Sequence, residues 1–379
     1  MKNSSLRILT VLPVLGQPRD SKRIEMLDSL GFDISVAAFN RAYHSGRVPN
    51  CPTQIIGTIS HGKYLQRVLK LIPALPKLRR AMRDRDIVYA SGPDMALFAM
   101  LAGLFLGKKF ILEIGDVREI QTVGGLGGWI IRVIDRMLTN KCSLLVVTAI
   151  GFVDNYYRVW LKSDVRALVI ENKLEASLAS ERPKALEGNL PQGRPLIDRP
   201  LRIGYFGLLR CQWTWDVLKA FALKHPKDVE IVVAGYPMEP TDIALQAKSI
   251  PNVSYLGEYK SPGDLSKLYG SVDLVWACYK LIGPKDWNLK WARPNRFYES
   301  CYFGRPLISR LGSSDSREVE RLKIGFNIRT HEISEVVSEL ESITGTMVEQ
   351  WRANSIALPN NLFIYTDEGE RLKSHIENL

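Results

Sequence analysis

Short apolar runs alternate with amphipathic helical patterns along the whole chain. In the first half, the apolar runs predict strands at 6–12, 33–39, 54–59, 86–90, 109–114, 143–148 and 167–171. The helical patterns between them lie near 20–30, 62–83, 94–106, 128–140 and 150–160. Runs that are apolar throughout, such as CSLLVVTA, are typical of parallel strands buried on both faces. This repetition of strand and helix predicts an α/β fold with a doubly wound sheet.

The pattern stops over 175–200, where prolines interrupt any periodicity, and it restarts at residue 201. Further strands are predicted at 201–207, 229–234, 253–256, 272–276, 306–309 and 325–328. We therefore predict two Rossmann-like domains that face each other across a cleft, with ligands at the carboxyl ends of the strands. The predicted division is a first domain over 1–180, a linker over 181–200, a second domain over 201–355, and a segment 356–379 whose helix packs back on the first domain.

The excess of positive over negative charge lies entirely in the first half of the chain. The net charge is +11; residues 1–196 hold 28 Lys and Arg against 17 Asp and Glu, whereas residues 197–379 hold 23 of each kind. A solvated basic surface is one interpretation. The basic amphipathic patterns at 62–83 and 129–141 favour an anionic membrane surface as the partner of the first domain.

The cysteine and histidine positions predict neither a metal site nor disulfides. The five cysteines form no CxxC pair, and the five histidines form no HExxH motif. The longest apolar run, 95–106, has about 12 residues, below the roughly 20 that cross a bilayer. The N-terminal apolar run is too short, and interrupted by Arg7 and Pro13, for a signal peptide. We expect a cytoplasmic protein with no metal and no cofactor.

The segment 294–308, PNRFYESCYFGRPLI, is the most informative in the chain. It predicts a short helix that carries Glu299, ends at the Phe303–Gly304 pair and leads into a buried strand. A carboxylate at this place can accept both hydroxyls of a ribose. The start of the helix, at Asn295 and Arg296, would then face a diphosphate. The plain alternative is a helix–strand connection with one solvated glutamate.

Two glycine turns of the second domain support a ligand site. In IGYFGLLR, Gly207 lets the backbone approach a ligand closely, and Arg210 can reach a phosphate. In VSYLGEYKSPGDL, main-chain groups near Gly257 and Tyr259 can recognise a base, and Ser261 is predicted to cap the next helix. Taken alone, the first turn is more often an ordinary strand–helix connection, and the second is compatible with a plain turn before a capped helix.

One strand of the first domain, FILEIGDVRE, ends in carboxylates. Glu113 and Asp116 are predicted at the cleft edge as catalytic groups. Asp116 is the stronger candidate, because it follows Gly115 at the carboxyl end of the strand, where it can remove a proton from an acceptor hydroxyl. The alternative is a structural role in which Asp116 caps a turn or pairs with Arg118.

These segments occur in an order that resembles a known enzyme family. The series GLL, VVAG, NVSYLGEY, DLSKLYGSVDL and PNRFYESCYFGRPLI resembles the donor domain of GT-B glycosyltransferases of the family-4 type, over about 201–330. The first domain resembles the same group in the loop and helix of 12–27, in DIVYASGPDMALFAM and in KKFILEIGDVRE. In detail, the chain is most similar to bacterial exopolysaccharide and capsule transferases.

The resemblance implies a GT-B fold and a nucleotide-sugar co-substrate, UDP- or GDP-linked. It places Glu299 at the donor ribose, Gly207 in the phosphate-side loop and Arg210 near the diphosphate. Two positions depart from the family pattern: Trp213 stands where many relatives have a lysine, and Trp291 where many have a second glutamate.

Further residues follow from the same resemblance. Arg293 and Arg296 are expected to supply the positive charge that the two tryptophans lack. On the acceptor side, the resemblance implies roles for Gly16, Arg19 and Asp20 in the loop and helix that follow the first strand.

The leading hypothesis is a metal-independent transferase that moves a sugar from the nucleotide-sugar donor to a lipid-linked glycan acceptor. Its place would be the cytoplasmic face of the cell membrane, in the synthesis of a surface polysaccharide. One alternative is a nucleotide-sugar 2-epimerase of the same fold. Another is a basic nucleic-acid-binding protein, but the chain lacks the signatures of the common nucleic-acid-binding modules. We therefore expect no nucleic-acid partner.

Overall fold

The computed structural model describes residues 5–40, 48–58, 72–188, 199–283 and 286–379. The chain divides into two units. The first comprises Met1–Glu171 with Thr366–Leu379, and the second comprises Asn172–Tyr365. Each unit contains its own parallel sheet with helices, which confirms the predicted pair of Rossmann-like α/β domains.

The first unit is built on a seven-stranded parallel sheet in the order β3-β2-β1-β4-β5-β6-β7. The strands are nearly continuous runs of buried residues, because helices cover both faces of such a sheet. All the strands predicted for this half are present. Their bounds are β1 Arg7–Leu12, β2 Asp33–Asn40, β3 Thr53–Thr58, β4 Ile87–Ser91, β5 Lys109–Ile114, β6 Leu144–Val147 and β7 Ala167–Val169.

The helices of the first unit follow the strands. They are α1 Pro18–Ser29, α2 Leu75–Met82, α3 Pro93–Ala102, α4 Glu119–Thr122, α5 Gly125–Lys141 and a π-helix Phe152–Trp160. Proline stands at the start of α1 and of α3, where its missing N–H has no partner to lose. The predicted basic helix at 62–83 is seen only as α2, and residues 59–71 lie outside the described residues.

The second unit contains a six-stranded parallel sheet in the order β10-β9-β8-β11-β12-β13. Alternate residues of its strands supply two cores. Ile203 and Tyr205 lie in one with Trp215, whereas Phe206 and Val232 lie in the other. The strands are β8 Leu201–Arg210, β9 Val229–Glu239, β10 Val253–Tyr255, β11 Leu274–Trp276, β12 Leu307–Arg310 and β13 Gly325–Ile328.

The helices of the second unit are mostly short. They are α6 Arg182–Gly188, α7 Gln212–Lys224, α8 Ile243–Lys248, α9 Leu265–Gly270, α10 Trp287–Trp291, α11 Asn295–Tyr302, α12 Ser314–Leu322, α13 Ile333–Glu341 and α14 Gly345–Ile356. Helix α9 does not begin at Ser261 as predicted; its N-cap is Asp264. The carboxylate of Asp264 accepts a hydrogen bond of 2.7 Å from the Lys260 amide, which closes a turn before the helix.

The division between the units does not fall at the predicted residue 180. Residues 172–188 belong to the second unit. Arg182 ties them there, because its buried guanidinium donates to the carbonyl oxygens of Tyr302, at 3.3 Å, and Leu358, at 2.9 Å. Half of the predicted linker, residues 189–198, lies outside the described residues.

The last helix, α15 Glu368–Glu377, belongs to the first unit, as predicted. It lies against α1: a Cβ added to Gly369 would be 3.6 Å from Leu30 and 3.7 Å from Met26. The predicted boundary at 356 is too early, because the chain stays in the second unit until Tyr365. There, Leu174 and Ile364 form a single parallel bridge. None of the described helices has the length and apolar composition needed to cross a bilayer.

Candidate active site

Each sheet reverses its strand order at one place. In the first sheet the reversal lies between β1 and β4, and in the second between β8 and β11. Ligands of doubly wound sheets bind beyond the carboxyl ends of the strands at such a reversal, because the helices on either side diverge there. The predicted site residues cluster at both places.

In the second unit, Glu299 is buried, with 6% of its surface exposed. Its Oε2 accepts a hydrogen bond of 2.6 Å from the Tyr269 hydroxyl. The backbone of Tyr269 is held in turn, because Arg305 donates from Nε to its carbonyl oxygen at 2.7 Å. Gly304, at φ +61°, makes the tight exit from α11; a Cβ there would be 2.7 Å from Ile356. Tyr269, itself held by Arg305, thus helps to fix the carboxylate of Glu299.

Arg296 lies one helical turn before Glu299 and is also buried. Its Nη1 donates to the carbonyl oxygen of Trp276, at the carboxyl end of β11, at 3.0 Å. Its Nη2 donates to the Tyr279 hydroxyl. The guanidinium carbon is 5.3 Å from the centre of the Tyr205 ring, within cation–π range. A rigid positive charge therefore sits at the strand-order reversal of this sheet.

Gly207 and Tyr259 complete this cluster. Gly207 has φ +102°, and a Cβ there would lie 3.8 Å from the Tyr259 hydroxyl and 4.0 Å from Nε of Arg296. Burial raises the pKa of Tyr259, and the negative charge of Glu299 raises it further. Gly207, Tyr259, Arg296 and Glu299, four of the residues predicted to bind a donor, are thus brought together. We call them the donor cluster.

The other predicted donor residues lie around this cluster. The carbonyl oxygen of Gly257 accepts from the Gly235 amide at 2.8 Å, and Gly235 pairs with Gly207 in the β8–β9 ladder. Arg210 is exposed, with its guanidinium carbon 5.8 Å from the ring of Tyr279, which also contacts Arg296. Asn295 is the exposed first residue of α11.

The two departures from the family pattern are core residues. Trp213 is buried and donates from Nε1 to the His331 carbonyl oxygen at 2.7 Å. Trp291 is buried and stacks on Trp287, with ring centres 5.3 Å apart. Arg293 lies 3.4 Å from a carboxylate oxygen of Asp315, so its charge is engaged outside the cluster. Of the two arginines expected to compensate, Arg296 is the one in the cluster.

Three tyrosines of this site, at positions 205, 269 and 279, were missed by sequence reasoning. Each contacts Arg296 or Glu299 through its ring or its hydroxyl. Tyrosine inside a predicted buried strand or helix is a usable signal, because a buried hydroxyl needs a polar partner. The sequence does not reveal which partner that is.

In the first unit, Asp20 lies at the strand-order reversal between β1 and β4. Its side chain is 2% exposed, and its Oδ1 is 3.5 Å from Nε of Arg19. Ser91, at the end of β4, donates to the same oxygen at 2.9 Å. The other oxygen, Oδ2, has no hydrogen-bond partner among the described residues. Burial raises the pKa of the Asp20 carboxyl, against the attraction of Arg19, so the fold holds an under-satisfied carboxylate here.

Arg19 connects Asp20 with Asp116. Its Nη1 donates to Oδ2 of Asp116 at 3.3 Å, and the Asp116 side chain is 59% exposed. Arg19 crosses directly over Gly115, where a Cβ would be only 1.5 Å from Nη1. Gly16, at φ +85°, forms the turn that leads into α1 and so to Arg19. The predicted acceptor-side residues are therefore adjacent to Asp116.

The alternative role for Asp116, a pair with Arg118, stays a prediction. Nη1 of Arg118 is 2.6 Å from Oδ1 of Asp94 at the start of α3. One charge partner of Asp116 is Arg19, which stands almost a hundred residues earlier in the chain.

Glu113 has surroundings different from those of Asp116. It is 1% exposed, and its carboxylate accepts from Nε of Arg23 at 3.1 Å and from the Tyr89 hydroxyl at 2.5 Å. Burial alone would raise the pKa of Glu113, but the charge and hydrogen bonds of Arg23 bring it below its usual value. A catalytic role for Glu113 stays a prediction; its contacts are those of a buried ion pair that holds α1 on the sheet.

The described residues contain no group of three or more His, Cys, Asp and Glu placed to hold a metal ion. The charged groups that the structure gathers at the two edges are arginines and carboxylates. Such groups can bind a phosphate and move a proton.

Comparison with known proteins finds a homologue and solved structures of similar fold. No protein-family model matches it. It is 27% identical over 348 residues to the succinoglycan biosynthesis protein ExoL of Rhizobium meliloti (strain 1021), a match that covers 89% of this chain and 85% of ExoL. This homology extends over both units.

The fold is that of GT-B glycosyltransferases. Sucrose-phosphate synthase from Thermosynechococcus elongatus superposes with a TM-score of 0.75 at 11% identity, covering 98% of each chain. HepE of Anabaena, in complex with UDP and glucose, gives 0.69 at 14% identity, over 99% of this chain and all of HepE. A UDP-N-acetylglucosamine 2-epimerase also shares the fold, with a TM-score of 0.59 at 12% identity over 99% of this chain and 98% of the epimerase. The fold alone therefore does not select between transfer and epimerisation.

Proposed function

We propose that this ExoL homologue with the GT-B fold is a glycosyltransferase of exopolysaccharide biosynthesis. It transfers a sugar from a nucleotide-sugar donor to a lipid-linked glycan acceptor. Homology over most of the chain to a succinoglycan biosynthesis protein supports the assignment to exopolysaccharide biosynthesis. The main support for a nucleotide-sugar donor is that the four residues of the donor cluster lie together at the strand-order reversal of the second sheet.

The donor cluster provides the groups that a nucleotide sugar requires. The Glu299 carboxylate is proposed to accept the ribose hydroxyls, held in place by Tyr269. Arg296 and the open backbone at Gly207 would face the diphosphate. Because HepE binds UDP and glucose in its solved structure, a UDP-linked sugar is the first donor to test.

The first unit is proposed to activate the acceptor. Asp116 is exposed and can take the proton of an acceptor hydroxyl as the oxygen of that hydroxyl forms the new bond to the anomeric carbon. The bond from that carbon to the diphosphate breaks, and the nucleoside diphosphate leaves with the electron pair. Arg296 would neutralise the negative charge of this leaving group, so we propose that no metal ion or cofactor is needed.

A peripheral position at the cytoplasmic face of the membrane is also proposed. Phe105 is 99% exposed at φ +65°, and Trp129, on α5, is 58% exposed. Leu126, Ile130 and Val133 continue an exposed apolar stripe along the same helix. Exposed aromatic and aliphatic side chains on a basic unit match an interfacial protein that works on an anionic bilayer.

A donor screen followed by a transfer assay tests this proposal. Thermal unfolding of the purified full-length protein is measured with UDP-, GDP- and dTDP-sugars, because a ligand that binds only the folded state raises the unfolding temperature. With the donor so identified, Glu299→Gln is expected to raise the donor KM about tenfold or more. Glu335→Gln, at an exposed position of the same unit, is the matched control. No stabilisation by any nucleotide sugar, or an unchanged donor KM in Glu299→Gln, would contradict the assignment.

The 2-epimerase remains the second candidate because a protein with that activity shares the fold. Incubation of the identified donor without any acceptor separates the two. Formation of an epimeric nucleotide sugar would favour the epimerase, whereas an intact donor that is consumed only when a glycan lipid is added supports the transferase.

A further inference from the structure

An apolar groove lies among the helices of the first unit. Helices α2, α3 and α5 enclose a cavity of about 250 Å³. Aliphatic and aromatic side chains make up most of its lining, among them Leu75, Leu97, Phe98, Leu101, Ile131 and Ile134. A groove with so apolar a lining suits a segment of a hydrocarbon chain better than a saccharide, whose hydroxyls need polar partners.

The polar groups of the groove are engaged with one another. On its floor, Asp135 accepts a hydrogen bond of 2.7 Å from the amide of Gln121 and another from the Tyr156 hydroxyl. At its mouth, Arg118 is 2.6 Å from Asp94. A polar ligand would have to break these bonds, whereas an apolar ligand only removes hydrocarbon surface from water. The lining therefore selects an apolar ligand.

The groove is continuous with the exposed apolar surface of the same unit. Leu101 lines it and is half exposed at its rim. On α5, Ile131 and Ile134 face the groove, while the neighbouring Ile130 and Val133 are exposed. Apolar side chains of α3 and α5 thus lead from the exposed surface into the groove, and a hydrocarbon chain can follow them.

Positive charge borders the groove on α2. This helix carries Lys77, Arg79 and Arg80 and no acidic residue. Arg79 donates from Nη1 to the carbonyl oxygens of Ala102 and Leu104, both at 2.8 Å, which places the charged face of α2 beside the end of α3. An ammonium or guanidinium at this position is complementary to a phosphate at the head of the chain.

We propose that the groove binds the hydrocarbon chain of a lipid phosphate, namely the chain of the lipid-linked acceptor. The inference rests on the proposed function for the identity of that lipid. The groove itself takes the first part of the chain next to the phosphate, and the basic face of α2 takes the phosphate. The lipid end of the acceptor is then held by the unit that carries Asp116.

Calorimetric titration of the full-length protein with farnesyl phosphate, in solution and without donor, tests the proposal. Dodecyl phosphate is the second arm, which separates an isoprenoid from a straight acyl-type chain, and inorganic phosphate is the third. Leu97→Trp fills the groove from α3, and Ile131→Phe fills it from α5. Leu104→Trp is the matched control. It is also a leucine-to-tryptophan change and lies just after α3, but outside the groove lining.

Wild type and Leu104→Trp are expected to bind farnesyl phosphate saturably, with Kd values within about twofold of each other, and inorganic phosphate only weakly. Leu97→Trp and Ile131→Phe are expected to weaken binding about tenfold or more, because the chain loses its place of burial. Equal affinity for all four proteins, or no saturable binding of either lipid phosphate by wild type, would overturn the inference.

The result of this lipid-binding experiment can be distinguished from the result of the test of the proposed function. Stabilisation by a nucleotide sugar, measured on the same variants, reports on the second unit and should not change. If the protein binds farnesyl phosphate through the groove but transfers no sugar, the inference about the groove stands and the proposed transferase function is wrong. Loss of folding in Leu97→Trp would be recognised by its unfolding temperature, and Ile131→Phe would then carry the test.

Discussion

The hydroxyl of Tyr269 donates a hydrogen bond of 2.6 Å to Oε2 of Glu299. Both side chains are buried, and Tyr269 comes from α9, thirty residues before its partner. Because a carboxylate oxygen inside the protein is costly without a donor, this bond holds Glu299 in one orientation.

Tyr269→Phe removes that donor and keeps the ring. Loss of this hydrogen bond to a charged group should cost about 1–3 kcal/mol, through lower stability or a displaced Glu299. We therefore expect the donor KM to rise roughly tenfold with a smaller change in kcat, measured by initial rates at saturating acceptor. Tyr302→Phe is the control, since its hydroxyl also donates within this unit, to the Leu178 carbonyl oxygen at 3.1 Å. Equal donor KM values for the two variants would refute the positioning role of Tyr269.

Gly207→Ala tests the close backbone approach in the donor cluster. The position has φ +102°, so any side chain there strains the backbone by about 1–2 kcal/mol. The added carbon would also point to Tyr259 and Arg296 at 3.8 and 4.0 Å, which narrows the space for a diphosphate. Gly31→Ala has a similar φ of +88° with nothing within 4 Å, and it should lose stability alone. Nucleotide binding by both variants is measured by calorimetry, and an unaltered affinity in Gly207→Ala would place the diphosphate elsewhere.

Asp20→Asn is expected to stabilise the folded protein and to impair its use of the acceptor. The folded state raises the pKa of this carboxyl above its unfolded value of 3.8, so it binds the proton more tightly than the unfolded chain does. The cost of the charged form appears as pH rises through the unfolded and then the folded pKa, and it is complete above both. Asp20→Asn should therefore raise the unfolding temperature at pH 8, with a smaller gain at pH 4.

The same substitution should weaken acceptor use, because the unpartnered Oδ2 of Asp20 is removed. We expect the acceptor KM to rise about tenfold while donor binding is unchanged. An unfolding temperature that falls at pH 8, or transfer at the wild-type rate, would mark Asp20 as an ordinary structural residue.

Gly115→Ala should act through Arg19. The new Cβ would fall 1.5 Å from Nη1 of Arg19, so the guanidinium must leave its place between Asp20 and Asp116. We expect this variant to lose as much turnover as Arg19→Ala, and the double variant to lose no more than either, as in a double-mutant cycle. Gly124→Ala, with nothing within 4 Å of its Cβ, should retain full turnover. Additive losses in the double variant would show that Gly115 acts independently of Arg19.

The exposed aromatic residues of the first unit predict binding to anionic vesicles. Phe105→Ser and Trp129→Ser should each weaken co-sedimentation with phosphatidylglycerol vesicles roughly tenfold, since each removes a large side chain that lipid would bury. Leu245→Ser, at an equally exposed apolar position of the second unit, is the control. Binding that is the same to neutral vesicles, or insensitive to these changes, would contradict the membrane surface proposed here.

The strands were predictable because parallel strands are buried on both faces and leave continuous apolar runs. The helix and strand of segment 294–308 were predictable as well, since a helix stop at Gly304 and a buried strand follow each other locally. The partners of its charged side chains were not. Arg19 and Asp116 are far apart in sequence, as are Tyr269 and Glu299, and such hydrogen bonds leave no periodic trace.

The domain boundary was misplaced for a similar reason. Pro-rich composition marks an irregular segment, but it does not indicate which unit that segment packs on. The buried guanidinium of Arg182, which donates to carbonyl oxygens of the second unit, decides that. A single arginine in a polar stretch gives no sequence signal of such burial.

The placement of α15 in the first unit means that this unit is completed by residues synthesised after the whole second unit. During translation, the second unit, a continuous stretch from Asn172 to Tyr365, has all its parts before the first one does. Its two ends are joined by the Leu174–Ile364 bridge, as in an insertion within a host domain. A nascent chain should therefore show a protease-resistant second unit while the earlier-made unit still awaits its closing helix.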